Sequence, residues 1–443
     1  MSGVVVVGGG LAGITAALAC ADGGREVTLL EARPRLGGLT YSFRRGDLDV
    51  DNGQHVFLRC CSAYRGLLDR LGMADQVFLQ DRLDIPVRST WDAHPVRLRR
   101  GALPAPLHLS GSLLRLRILS PAQRLRFVRA ALALRAFDRQ DPAADRGSFG
   151  DWLRERGQDA RTVDALWDLV GTATLNARAD DASLAQAAMV FQVGLLTEAD
   201  AADIGWARVP LQRLHGDAAA IQLERAGVTV HTGAKVSQLS PGWTVHSGDI
   251  SVAADQVILA VPPSAAEALL PPGALDVAAG WSEALGRSPI VNVHIVVDRP
   301  VLTGPFLAFA GSPVQWVFDR TAQSGLSAGQ YLALSISAAD EYIDSPVAQL
   351  RDRFLPELRQ LLPALAGARV HDFFVTRERE ATFRPSPGTA ALRPPAVTRA
   401  AGLFLAGAWT DTGWPATMEG AVRSGTTAAR AVLGESARER VPA

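Results

Sequence analysis

Apolar residues follow two rhythms in this chain, and the rhythms divide it. Residues 4–7 are four uninterrupted valines, as expected of a parallel strand buried on both faces. Residues 14–21 are Ala-rich and read as a helix, 26–30 return to strand, and a further helix is predicted to about residue 71. Short strands follow at 85–89 and 96–99, around a turn at Asp92-Ala93-His94-Pro95. From 101 to 200 the chain reads mostly helical, with Ser148 opening one helix and a buried apolar helix at 182–196. A helix at 211–226 then leads into strands at 228–231, 234–239, 244–246, 250–252 and 256–261. Residues 290–297, 314–318 and 331–337 alternate as strands, 347–362 as a helix and 370–376 as another strand. Near the end, strand, glycine-rich turn and helix recur over 402–425.

This order predicts an α/β fold with a discontinuous nucleotide-binding domain, residues 1–89, 206–277 and 386–443. An inserted α+β substrate domain takes 90–205 and 278–385. The chemistry that fixes the first domain is Gly8-x-Gly10-Leu11-Ala12-Gly13, which turns the valine strand into the first helix. Gly8 permits the tight turn, Gly10 lets a pyrophosphate approach the backbone, and Gly13 lets helix and strand pack closely. The helix N-terminus then offers N–H groups to phosphate. Glu31, at the end of the second strand, has the position that accepts a ribose hydroxyl. Ala32, Arg33, Arg35, Gly37, Gly38 and Leu39 extend the phosphate-binding surface.

Composition changes little. The 443 residues carry no formal net charge, which gives no electrostatic case for nucleic acid. The basic residues are arginines except for Lys235, so a single arginine carries little functional weight. Three cysteines make no disulfide framework, no Cys/His spacing suggests a metal, and the expected compartment is the cytoplasm. Residues 1–21 are uncharged but lack a basic leader, and glycines interrupt them; the nucleotide fold accounts for them. Ten arginines and one acidic residue, Asp92, lie from Arg88 to Arg135, interleaved with leucines. A basic amphipathic surface over 97–135 could rest on anionic lipid at the inner face of the plasma membrane; the alternative is an arginine-decorated helical layer on its own core.

With these motifs the chain resembles the flavin amine oxidase and phytoene desaturase superfamily. The resemblance rests on Gly8 to Gly13 with Glu31, Arg35-Leu36-Gly37-Gly38, the Lys235-Val236 strand, Leu259-Ala260-Val261-Pro262 and the C-terminal block. It implies a glutathione-reductase-like FAD domain, with cofactor contacts at Val236, Gly407, Asp411, Pro415, Thr417 and Met418 besides those above. More narrowly, Asp51-Asn52-Gly53-Gln54-His55 and Thr412-Gly413-Trp414-Pro415-Ala416-Thr417-Met418-Glu419-Gly420-Ala421-Val422 look like the hydroxysqualene dehydroxylases of hopanoid biosynthesis. That branch implies conversion of hydroxysqualene and reduced flavin to squalene and water. Three departures stand out. Ala408 replaces the superfamily's Asp after Gly407, leaving Asp411 as a substitute; Leu39 replaces an arginine; and no lysine is placed to hold a water at the flavin, which disfavours amine oxidation.

The implied chemistry needs an acid, a dry apolar channel and tolerance of a transient cation. His55 and Asp51 are the candidate acids, and Trp409 and Trp414 the candidate aromatic faces. Two other readings stand beside it: a carotenoid-type desaturase passing hydride to flavin, and a flavin-free prenyl-lipid carrier. The electron donor is unidentified, since no second Gly-x-Gly-x-x-Gly exists to bind a nicotinamide cofactor.

Overall fold

The computed structural model describes residues 3–434 apart from Ala93 and Pro142. Its first sheet is parallel and five-stranded, in the order Thr229–Thr232, Glu26–Glu31, Gly3–Val7, Gln256–Leu259, Leu403–Leu405. Strand Gly3–Val7 is central, which is why its valines are buried on both faces. One face is covered by helices Leu11–Asp22, Ser62–Leu71, Ala218–Arg225 and Met418–Val432, packed through Ile14, Leu68, Leu223 and Val432. A three-stranded antiparallel meander, 238–253, and Trp281 cover the other. Helices Leu11–Asp22 and Met418–Val432 meet backbone to backbone at Gly425, where a Cβ would stand 2.2 Å from the Ala12 carbonyl oxygen.

The second sheet has seven strands, in the order Val370–Thr382, Ser288–Val297, Gln330–Ser337, Trp316–Asp319, Phe306–Ala310, Asp84–Ser89, Val96–Arg99. Helix Val347–Leu361 covers one face through Leu350, Phe354 and Leu358. A helical layer including Pro121–Arg135, Phe149–Glu155, Asp168–Leu175 and Leu184–Phe191 has its own aromatic core of Phe149, Trp152, Trp167 and Phe191. Ser148 caps its helix by accepting from the Asp151 N–H, as the sequence suggests.

Three expectations are corrected. Strand Asp84–Ser89 pairs in parallel with Phe306–Ala310, so the substrate domain begins before residue 84 and not at 90. Residues 234–237 form no strand; only Gln238–Ser240 does, because Ala234 bonds back to the Glu31 carbonyl and turns the chain away. Strand Phe306–Ala310 lies in a stretch the sequence leaves without an element. Among the described residues no helix is long and apolar enough to cross a membrane.

Candidate active site

The glycine loop and the Arg35–Gly38 loop are built against each other. Gly37 donates its N–H to the Gly9 carbonyl at 2.9 Å, and Gly37 and Gly38 hold positive φ of 104° and 58°, which glycine adopts without strain. Glu31 accepts from the N–H groups of Gly9 and Arg33, at 2.5 and 2.7 Å, so its carboxylate braces the loop from below. The glycines are not equivalent. A Cβ on Gly13 would stand 1.8 Å from the Gly8 carbonyl oxygen, so packing alone demands glycine there. A Cβ on Gly10 would meet nothing nearer than the Gly38 Cα at 3.7 Å. Protein packing therefore leaves the space at Gly10 open.

Helix Leu11–Asp22 begins beside that space with no side-chain cap and no acidic residue in its first turn. Its N-terminal dipole and N–H groups are available to a diphosphate. Ala32 and Arg33 are exposed beyond Glu31, and Val236 is buried under the adjoining edge. Leu39 is half exposed, its carbonyl accepting from Asn52 Nδ2 at 2.8 Å. The Arg35 guanidinium reaches the Gly38 carbonyl and lies 3.4 Å from the centre of the Tyr41 ring.

The C-terminal block arrives from the other side. Gly407 has φ 146° and donates to Ser424 Oγ at 2.8 Å, and Thr417 caps helix Met418–Val432 by accepting from the Gly420 N–H at 3.1 Å. Pro415 is buried and Met418 packs on the core of the first domain. The loop is stitched by Arg393, which donates to the carbonyls of Ala408, Thr410 and Trp414 and to Thr412 Oγ1. Burial brings its pKa down to about 10. Asp411 is exposed beyond this loop, with its N–H on the Pro394 carbonyl. Ala408 itself lies against Gly420, at the start of the helix.

Two of the four residues expected to do chemistry are engaged elsewhere. Asp51 is buried; it accepts from Ser42 Oγ at 2.6 Å and the Leu211 N–H at 3.0 Å, and it pairs with the buried Arg320. Its carboxylate makes all three contacts as an acceptor and anchors the loop. Trp409 is also buried, its Nε1 donating to the Val261 carbonyl at 2.9 Å and its ring against Trp281 at 5.3 Å. Its faces belong to the core. Trp414 packs on the helical layer beneath the Arg423 guanidinium, 4.7 Å from its ring centre. Glu419 accepts from the N–H groups of Ala63 and Tyr64 and from Arg423, so it caps helix Ser62–Leu71.

His55 remains. It is half-buried and lines a small cavity with Gln54, Val56, Trp206, Pro305, Phe318, Asp319 and Arg320. Its Nδ1 lies 3.2 Å from the Gly53 carbonyl, a contact that leaves Nε2 as the free acceptor of a neutral ring. Burial lowers its pKa below the ordinary histidine value, with the Gly53 carbonyl and Asp51 opposing. Beside it, His215 is fully buried and bonded to Tyr64 Oη at 2.8 Å; burial first, then His55, push it down to about 3.

Sequence reasoning passes over Arg320, Arg393, Trp206 and Phe318. With almost every cation an arginine, no local signal separates the two that are buried. The aromatic pair is assembled from strands Ile204–Ala207 and Trp316–Asp319, far apart in the chain. Gln54 stands inside a motif already singled out, yet only the structure shows its buried Nε2 without a partner. Buried polar atoms without partners also occur at Gln212 Oε1, His215 Nδ1 and Asn292 Oδ1. The open space at Gly10, beside an uncapped helix N-terminus, fits a bound diphosphate.

Comparison with known proteins agrees with this geometry. Residues 11–433 match the family model of flavin containing amine oxidoreductases. The chain is 30% identical to a hydroxysqualene dehydroxylase of Rhodopseudomonas palustris, over 97% of this chain and 98% of that one. It is 25% identical to a 15-cis-phytoene desaturase of Solanum lycopersicum, over 97% and 77%. Among solved structures it resembles a putrescine oxidase (TM-score 0.74, 21% identity, 98% and 99% covered). It also resembles the cyclohexylamine oxidase of Brevibacterium oxydans (TM-score 0.71, 20% identity, 98% and 99% covered). These two likenesses carry the fold. With FAD as the cofactor, the flavin-free carrier reading falls away: the chain belongs to the flavin containing amine oxidoreductase family and is an FAD-dependent oxidoreductase.

Proposed function

We propose that this enzyme reductively removes the hydroxyl group of hydroxysqualene, giving squalene and water. Relatives of that name, similar over nearly the full chain, support the reaction class. The observation that carries it is the clustering of Gln54 and His55 with Trp206 and Phe318 around one small space of about 10 Å³, which admits about one water and must widen for the substrate's hydroxyl end. FAD, when bound and reduced, supplies hydride. The protein supplies the rest.

The unpartnered Gln54 Nε2 donates to the substrate hydroxyl oxygen and fixes its direction. His55, in its protonated form, delivers a proton to that oxygen; the C–O bond breaks, water leaves, and a delocalised allylic cation remains until hydride reaches carbon. Trp206 and Phe318, on the same wall, supply aromatic surface that favours that cation. Trp206 is held edge-on by Phe306 at 5.6 Å and 89°, and Phe318 stacks on Trp316 at 6.1 Å and 16°. Arg320 in the same wall would oppose the cation, but Asp51 offsets its charge.

A carotenoid-type desaturation is the second reading, favoured by the phytoene desaturase relatives. It runs hydride toward flavin and needs no proton donor. Pre-reduced, anaerobic enzyme incubated with hydroxysqualene decides between them: squalene is expected, and its absence, with turnover of phytoene by oxidised enzyme, overturns the proposal. The His55→Ala variant with its flavin spectrum intact should lose most turnover; full activity would remove His55 from the mechanism.

A further inference from the structure

Large apolar side chains are exposed together on one part of the helical layer. Leu103, Leu107, Leu114, Leu125, Val128 and Leu132 all face outward, Leu114 at 75% exposure. Helix Pro121–Arg135 shows why this is a surface and not scattered residues. Its Ala130, Ala131 and Leu134 are buried, while Leu125, Val128 and Leu132 form a second apolar stripe at spacings of three and four on the outer side. A solvated helix face would be polar there.

The charge around the stripe is mostly positive, Asp159 beside Gln123 and Arg126 being the exception. No acidic residue stands between Asp92 and Asp138, and Arg115, Arg117, Arg129 and Arg135 are exposed among the leucines. Arg97 and Arg126 are paired, with Asp84 and Asp159, and add nothing. A cationic rim around projecting leucines suits a layer with anionic headgroups above an apolar interior.

The same segment also leads inward. Leu116, Ile118 and Leu119, between the exposed residues, are buried in one apolar cluster with Ile204 and Phe318, against which Leu113 and Trp206 pack. That cluster reaches the wall of the His55 cavity. We propose that residues 103–132 dock on a bilayer containing anionic lipid. The packed Leu116–Phe318 cluster braces this face against the His55 wall, and the docking does not depend on the reaction proposed above.

The test is flotation of the FAD-loaded enzyme with vesicles of phosphatidylcholine alone or with about 30 mol % phosphatidylglycerol. Binding is expected to the anionic vesicles and to weaken sharply at high salt. Leu114→Ser, Leu125→Ser and Leu132→Ser combined should cut it about tenfold or more, because the leucines supply the insertion. The variant should keep its melting temperature, flavin spectrum and turnover of detergent-dispersed substrate, since these side chains are already in water. Turnover of vesicle-held substrate should fall with binding. Wild type that ignores anionic vesicles, or a triple variant that floats as well as wild type, overturns the docking. So does a wild-type dimer that the variant makes monomeric, which assigns the face to a second copy. Failure of squalene formation in detergent would instead sink the reaction while leaving the flotation result standing.

Discussion

Asp51 and His55 lie on one short loop, and both are candidate acids from the sequence, His55 favoured by its ordinary pKa. The structure separates them. Asp51 is an anchor held by Ser42, Leu211 and Arg320, so Asp51→Ala strands a buried guanidinium and should cost about 3–5 kcal/mol of stability in chemical denaturation. His55 carries the pH dependence. Its pKa lies below the ordinary 6.5, so the protonated form is scarce at neutral pH and grows as pH falls. Turnover with pre-reduced enzyme should therefore rise toward acid with a midpoint below 6.5, and His55→Ala should abolish that limb. A flat profile in the wild type would contradict the proton role. The motif spanning both residues was legible in the sequence; their division of labour was not, because Arg320 lies far along the chain and forms no pattern with Asp51.

Among elements, the two glycines of the first turn make the clearest contrast. Gly13 is required by the fold, since its missing Cβ lets the helix lie on the Gly8 carbonyl. Packing does not require Gly10, and we assign its need for glycine to the ligand. Gly13→Ala should lower the melting temperature of the apoprotein. Gly10→Ala should leave it nearly unchanged and weaken FAD binding, measured by flavin fluorescence on release; equal destabilisation by both would refute the distinction. The glycine signature, its flanking strands and the C-terminal strand-turn-helix were legible because local spacing determines them. Strand Phe306–Ala310 was not, and Asp84–Ser89 was assigned to the wrong domain. Their place depends on a parallel pairing between them, which no local spacing records.

Over the whole molecule, buried histidines tie stability to pH. His215 and His294 are fully enclosed, and burial pushes each down to about 3. Above 6.5 neither state holds the proton and they are neutral in effect. As pH falls below 6.5 the unfolded chain takes up protons that the folded chain refuses. Each histidine then removes up to about 1.4 kcal/mol per pH unit until its folded pKa near 3 is reached. Urea midpoints should fall between pH 6.5 and 4, and His294→Gln should lessen the slope; an unchanged slope would exclude it as a source. His294 bonds Tyr331 Oη at 2.7 Å and Thr376 Oγ1 at 2.9 Å, groups an amide can also satisfy.

The close seat of helix Met418–Val432 on helix Leu11–Asp22, opened by Gly425, has a consequence during synthesis. The phosphate-binding turn leaves the ribosome long before the strand Leu403–Leu405 and the helix Met418–Val432, which complete its sheet and cover its apolar side. Until then Ile14, Ala17 and Leu18 lack part of their cover. A nascent chain arrested before residue 403 should neither retain FAD nor resist proteolysis, whereas release at full length should bring both together.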